Sequence, residues 1–245
     1  MAAPAQNQRQ TEPVGTTKVS GSQDSKFENP VYDRSSLEGD YMVMIAGQTE
    51  EDYFRRAPEN QFCEFIDGIV YMPSPVSVSH QQLVQFVFHL LDGFRSERDC
   101  GPILTGPAVF KLGIGRDVEP DLFMLPVGGR EQLHGQYAEG PAALIVEVLS
   151  QSTRDHDLTH KAALYREDAT EEIWFIDERD RLLLVECRAL GDYQANRLEN
   201  GVYESQAIQG FWLDVAWLWS NPLPNPRRCL EQILAGPPAR LGDRA

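Results

Sequence analysis

The alternation of hydrophobic and polar residues along the chain predicts three helices. Acidic residues follow Thr49 in a short segment, 50–56, and the threonine is placed to cap a helix there. From Ser79 onward, apolar residues recur at steps of three and four as far as Phe94, which predicts one amphipathic helix. A third helix is expected at 155–168, where the same spacing gives one apolar face.

Shorter apolar segments between these helices predict strands. Asp67-Gly68 lies between two of them and is a typical hairpin dipeptide. The run at 142–149 is apolar at nearly every position, as in a strand that is buried on both faces of a sheet. The predicted strand segments are 62–65, 69–72, 107–112, 118–125, 142–149, 173–176, 182–186 and 202–213. This mixture of helices and strands favours an α/β fold with an antiparallel edge to its sheet.

Composition divides the chain into one domain and two tails. Residues 1–49, rich at first in Gln, Thr, Ser, Gly and Pro, are expected to be a disordered tail. The foldable domain spans 50–220, and the proline-rich segment 221–245 is expected to be irregular. No apolar run approaches the roughly 20 residues that span a bilayer, and the N-terminus has no signal-type segment. These features indicate a cytoplasmic protein without membrane contact.

The charge and the cysteines of the chain limit its partners. The formal net charge is −15 at pH 7. Because DNA is itself a polyanion, this charge argues against a strong general DNA binder, although not against a local cationic groove or a metal-dependent site. The four cysteines form no C-x-x-C pair, so buried, reduced thiols are expected rather than a structural zinc site.

Three charged residues in apolar surroundings are candidates for chemistry. Glu147 lies inside the apolar run, where an ionised carboxylate is costly unless it is paired, hydrogen-bonded or metal-bound; a strand end open to water is the alternative. Asp121 follows Pro120 and opens an apolar segment, a pattern that ordinary turns also show. Lys161 lies on or beside the apolar face of the third helix. It is interpreted either as a cation that contacts a phosphate or as an exposed partner of Asp157 in an ion pair.

Short motifs around these candidates occur in a distinctive order. They are Glu64-Phe65-Ile66-Asp67-Gly68, Ser74-Pro75 followed by His80, Pro120-Asp121, Glu147-Val148-Leu149-Ser150, Asp157-x-x-x-Lys161-x-x-x-Tyr165 and Glu172-Ile173-Trp174-Phe175-Ile176-Asp177. Together, over about residues 50–190, they resemble the pattern of the Uma2-like restriction endonucleases, a family of the PD-(D/E)XK nuclease superfamily.

This resemblance implies a restriction-endonuclease-like fold, a mixed sheet core flanked by helices, with a metal-dependent phosphodiesterase site that acts on DNA. Asp121, Glu147 and the Val148 carbonyl would bind Mg²⁺ or Mn²⁺. Lys161 would stabilise the charge that develops at phosphorus or lower the pKa of the attacking water. Glu64 would add a carboxylate, and His80 would contact substrate or ligand.

One position departs from the pattern of the wider superfamily. The superfamily motif has a lysine two residues after the glutamate, where this chain has Leu149, so the role would pass to Lys161 on the following helix. The net acidity and Leu149 leave open a second hypothesis, a nuclease fold that binds or assembles without cleaving. An unrelated hydrolase with paired carboxylates is a third hypothesis, and it gives the lysine no role. The sequence also leaves a homodimer open.

His156 and His160 are four residues apart on the predicted third helix. This spacing occurs in some zinc sites, but no glutamate follows His156, so the H-E-x-x-H motif is absent. Two solvated helix histidines are therefore the favoured interpretation.

Overall fold

The protein, described by a computed structural model, contains two mixed β-sheets and a separate two-stranded sheet in the part of the chain that the structure describes. That part is the backbone of residues 30–32 and the complete residues 42–58 and 61–238. One sheet has seven strands and the other six. Helices pack against both, which confirms the α/β class predicted from the sequence.

The elements follow one another with short connections. The strands are β1 (Pro30–Tyr32), β2 (Met42–Ala46), β3 (Glu64–Ile66), β4 (Ile69–Pro73), β5 (Ile103–Thr105), β6 (Val109–Lys111), β7 (Arg116–Val118), β8 (Leu122–Met124), β9 (Tyr137–Glu139), β10 (Leu144–Val148), β11 (Glu172–Asp177), β12 (Leu182–Ala189), β13 (Asp192–Leu198), β14 (Val202–Glu204) and β15 (Trp212–Asp214). The helices are α1 (Glu50–Arg56), α2 (Val78–Glu97), α3 (Arg154–His156), α4 (Ala162–Glu167) and α5 (Pro226–Ala235). The first sheet has the order β1-β2-β4-β3-β7-β6-β9 and the second the order β13-β12-β11-β10-β8-β5.

The second sheet is the centre of the molecule, with a hydrophobic cluster on each face. Alternate residues of β10 point to opposite faces, as they must in a strand. Leu144, Val146 and Val148 join the cluster that contains the apolar face of α2. Ile145 joins the other cluster, which includes residues of the first sheet and of α4. Glu147 therefore faces the first sheet and α4, not α2.

Two segments predicted as single strands are each divided in the structure. The segment 118–125 gives the end of β7 in the first sheet and all of β8 in the second. Pro120 lies between them; it has no N–H to donate to a strand ladder. The residues around it, Glu119 and Asp121, consequently lie where the chain passes from one sheet to the other. The segment 202–213 similarly forms the paired strands β14 and β15.

The predicted boundaries of the two tails are wrong where the structure describes them. Strand β2 lies inside the segment 1–49 and pairs with β4 along its whole length; residues 1–29 and 33–41 of that segment lie outside the described residues. Helix α5 lies inside the segment 221–245. The Asn225 side chain caps it and Pro226 occupies its first turn, a favourable position for proline. Its apolar side is buried against α2, which the proline-rich composition did not reveal.

Asp117 on β7 is expected to make stability depend on pH. It is fully buried, and burial raises the pKa of its carboxyl from the usual 3.8 to about 7, although Lys111 opposes this shift. Since the pKa is higher in the folded state, ionisation disfavours folding, and this penalty grows as the pH rises from about 4 to about 7. Asp117→Asn should therefore raise the melting temperature at about pH 8 and change it little at about pH 4.

Asp67→Asn is the control for this measurement. Asp67 is an exposed residue at a turn with a φ of 48°, a conformation that asparagine tolerates. An equal gain in melting temperature at both pH values for Asp117→Asn would show that ionisation of this carboxyl is not the cause.

Candidate active site

Residues from both sheets and from the helical segment after β10 surround a small cavity of about 40 Å³. Glu64 comes from β3, Asp121 from the connection between the sheets, and Glu147 from β10. Lys161 ends the π-helical turn Asp157–Lys161, and His80 lies in the first turn of α2. The five side chains singled out from the sequence thus line one site.

Lys161 is the centre of this arrangement. Its Nζ lies 2.7 Å from Glu147 Oε1 and 2.7 Å from Glu64 Oε1, and the side chain is 5% exposed. It is also 3.5 Å from Asp157 Oδ1, so the ion pair considered from the sequence exists, but it is buried rather than exposed. A buried ammonium among carboxylates avoids the cost of an unpaired charge, which explains how the helix can place a lysine on its inner side.

The π-helical turn accounts for this position. The sequence predicts an ordinary helix at 155–168, whereas the structure has α3, then the π turn, then α4. A π turn inserts one extra residue into the helix and is often found at functional sites. Beyond it, Tyr165 donates a hydrogen bond to Glu147 Oε1, the same oxygen that Lys161 contacts. Glu147 Oε1 is thus held from two sides.

Asp121 is fixed against the end of β10. Its Oδ2 accepts a hydrogen bond of 2.8 Å from the Val148 N–H and lies 3.3 Å from His80 Nε2. The Asp121 N–H lies 3.5 Å from Glu147 Oε2. Asp121 and Glu147, proposed from the sequence as a metal-binding pair, therefore line the same cavity and meet through the Asp121 backbone, although Lys161 contacts only Glu147.

Negative charge exceeds positive charge in the site. Burial raises the pKa of Glu147 and of Asp157, with neighbouring carboxylates adding to the effect and Lys161 opposing it. For Glu64, burial is outweighed by Lys161 and His156, which together lower the pKa to about 2. Burial also opposes protonation of His80, but Asp121 and the Val148 backbone outweigh it and raise the pKa. Burial is thus the main cause of the raised carboxyl pKa values, and the crowding of like charges adds to it.

Two residues of the site were missed in the sequence. Glu119 lines the cavity, accepts a 2.8 Å hydrogen bond from the Cys63 N–H, and has a pKa that burial raises to about 8. Its position beside Pro120 was the available signal. His156 was expected to be solvated, but its side chain is 8% exposed, with Nε2 3.4 Å from Glu64 Oε2. His160 is exposed, as expected.

Among the described residues, no group of three or more His, Cys, Asp or Glu side chains is arranged to hold a metal ion. His156 and His160 are part of no such group. Of the cysteines, Cys187 and Cys229 are buried free thiols, Cys100 is a half-buried free thiol, and Cys63 is buried. Within the described ranges, no helix has both the length and the apolar character that a membrane crossing requires.

Comparison with known proteins identifies the class of fold and then the family. The crystal structure of "a putative nuclease belonging to DUF820" from Anabaena variabilis ATCC 29413 matches with a TM-score of 0.59 over 70% of this chain and 97% of that chain. At 11% identity this likeness shows the fold, and it confirms the predicted nuclease-type architecture. The family model Uma2, described as "Putative restriction endonuclease", matches residues 50–216, so the chain belongs to the Uma2 family. No curated protein matches the chain.

Proposed function

We propose that the protein is a metal-dependent endonuclease that hydrolyses phosphodiester bonds of DNA. The observation that carries the proposal is the position of Lys161, whose Nζ lies 2.7 Å from Glu147 in a cavity that Asp121 also lines. Membership of a family described as restriction endonucleases supports a nuclease in general. The metal, the DNA substrate and the residue roles are the proposed part.

The donor set fits Mg²⁺ or Mn²⁺. Magnesium takes few protein carboxylates and keeps several waters, so Asp121, Glu147 and the Val148 carbonyl would be enough to hold it. Burial is the main cause of the raised pKa of Glu147, but the neighbouring carboxylates of Asp157, Asp121 and Glu64 add to it, and a cation would offset their charge. When bound, the metal would supply Lewis-acid activation of a phosphate and of a water.

The protein residues have separate tasks in this proposal. Lys161 provides a fixed positive charge where negative charge develops at phosphorus, in a site from which water is largely excluded. Tyr165 and Lys161 hold Glu147 Oε1, so that Glu147 Oε2 is directed toward Asp121. Glu64 holds the lysine in place through an ion pair with its ammonium, and the same carboxylate accepts a hydrogen bond from the Glu119 N–H. His80, in contact with Asp121, would meet the substrate phosphate.

A nuclease fold that binds without cleaving is the second candidate. The small cavity favours it, as does the engagement of Glu64, Glu147 and Lys161 with one another. Metal binding separates the two candidates, because only the hydrolytic one requires it.

Metal affinity should therefore depend on Asp121. Calorimetric titration with Mn²⁺ is expected to detect binding to the wild type, and Asp121→Asn should weaken it at least about tenfold because a ligand charge is lost. Nicking of plasmid DNA in Mg²⁺ or Mn²⁺, and its loss in EDTA, is the accompanying assay. Asp155→Asn, an exposed change on α3, is the matched control. A wild type that binds neither metal would instead favour the non-cleaving candidate.

A further inference from the structure

A second, larger cavity of about 430 Å³ opens beside the candidate site and shares Asp121 and Phe62 with it. Its size is within the range of roughly 300–1,000 Å³ that is usual for small-molecule sites. The remaining lining residues come from α2 and from the end of β5 with the residue after it; they are Gln81, Val84, Gln85, Phe88, His89, Thr105 and Gly106. A group bound here would lie next to whatever occupies the Asp121 site.

The lining has the two features that recognise a nucleobase. Phe62 and Phe88 are half-buried aromatic side chains, and every base has a π-face that can stack on such a ring. Gln81 and Gln85 are exposed and lie one turn apart on α2, where the structure shows no hydrogen bond from either amide to another described residue. Glutamine amides can both donate to and accept from the edge of a base.

The position of Phe62 is set by Gly106. A Cβ at Gly106 would lie 2.4 Å from Phe62 Cε1, so the ring packs directly onto the glycine backbone. This contact keeps the phenylalanine at the wall shared by both cavities, beside Asp121.

The distribution of charge argues against a duplex ligand. Duplex DNA is bound largely through lysine and arginine contacts to phosphates. No lysine or arginine lines this cavity, and the two lysines among the described residues, Lys111 and Lys161, are largely buried in ion pairs with carboxylates. Helix α2 has no Lys, Arg, Asp or Glu between Val78 and Leu91. Affinity within this cavity must therefore come from the base rather than from a phosphate.

We propose that this cavity, the Phe62 pocket, binds one unpaired nucleobase of the strand whose phosphodiester lies at Asp121, so that the substrate is a single-stranded nucleic acid. A base stacked within a duplex cannot enter a pocket of this kind unless it is turned out of the helix. The inference deepens the proposed function and rests on it for the position of the phosphodiester. The stacking and amide chemistry is common to DNA and RNA.

Binding of short fluorescein-labelled oligonucleotides, measured by anisotropy at low salt in EDTA, tests the proposal without requiring cleavage. The wild type is compared on a DNA strand, on an RNA strand of the same sequence, and on the DNA duplex. We expect at least one of the single strands to bind about tenfold or more tightly than the duplex. Phe62→Ala and the double variant Gln81→Ala/Gln85→Ala should each weaken single-strand binding at least about fivefold.

Gln82→Ala is the matched control. Gln82 is an exposed glutamine on the same helix that does not line the Phe62 pocket, so its removal should leave binding unchanged. The double variant changes only exposed side chains, which keeps the test valid if Phe62→Ala fails to fold.

The possible outcomes separate this inference from the proposed function. The Phe62 pocket is refuted if the duplex binds as tightly as the strands, if no strand binds, or if the pocket variants behave like Gln82→Ala. Metal-dependent cleavage of duplex DNA together with any of these results would leave the nuclease proposal standing alone. Pocket-dependent binding of a single strand without cleavage in any metal would support the Phe62 pocket and contradict the nuclease proposal. Comparison of binding to the DNA strand and to the RNA strand shows whether the bound strand is DNA or RNA.

Discussion

Lys161→Met is expected to lower metal-dependent cleavage by about 10²- to 10³-fold, the usual effect of removing one preorganised group that stabilises a transition-state charge. Methionine has a similar length and no charge, so the change removes the ammonium that lies 2.7 Å from Glu147 and 2.7 Å from Glu64. Initial rates of DNA cleavage in Mg²⁺ measure the effect.

Two further measurements make this result specific. Lys161→Met should still bind Mn²⁺, because both proposed ligand carboxylates remain, whereas Asp121→Asn should not bind it tightly. The variant should also lose stability, and more so as the pH rises, since Glu64 and Glu147 then ionise without their partner. Lys111→Met, a change at the other described lysine, should leave cleavage intact. Cleavage by folded Lys161→Met at the wild-type rate would refute the role given to the ammonium.

Glu172→Ala is expected to destabilise the fold by about 3–5 kcal/mol, because several buried donors would lose their acceptor at a cost of about 1–3 kcal/mol each. Glu172 is fully buried at the start of β11. Its Oε1 accepts from Trp174 Nε1 at 2.5 Å, and its Oε2 accepts from the Ser205 hydroxyl and from the N–H groups of Gln206 and Ala207. Alanine would leave four donors without an acceptor, which costs more than the lost hydrogen bonds themselves.

Chemical denaturation measures the free energy of unfolding, with Glu171→Ala as the neighbouring control. Glu171 forms a half-exposed ion pair of 3.3 Å with Arg188, and pairs of this kind contribute at most about 1 kcal/mol. If the two variants lose similar amounts of stability, the hydrogen bonds of Glu172 do not stabilise the fold to the extent that their geometry indicates.

The sequence predicted best the elements whose signals are local. Helix α1 begins at the Thr49 cap that was predicted, and α2 and the hairpin of β3 and β4 lie where the periodicity and Asp67-Gly68 placed them. The apolar run at 142–149 gave β10, buried at every position. In each case the residues that produce the sequence pattern are the same residues that form the element, so no contact with a distant part of the chain is needed to predict it.

Features that depend on distant contacts could not be read in this way. The order of motifs pointed to Asp121, Glu147 and Lys161, but not to the π turn, which forms where the helix meets carboxylates from two other segments. His156 resembles any solvated helix histidine until β3 brings Glu64 beside it. Glu172 appeared only as part of a family motif, and its partners at 205–207 lie more than thirty residues away.

The connection through Pro120 has a mechanical consequence. On one side of the proline, the Glu119 N–H donates to Glu64 of β3 in the first sheet; on the other, Asp121 accepts from the Val148 N–H of β10 in the second sheet. Lys161 bridges the same gap between Glu64 and Glu147. The geometry of the cavity therefore depends on the spacing between the two sheets. Substitutions far from the site that loosen the packing of these sheets are expected to impair the proposed cleavage before they unfold the chain.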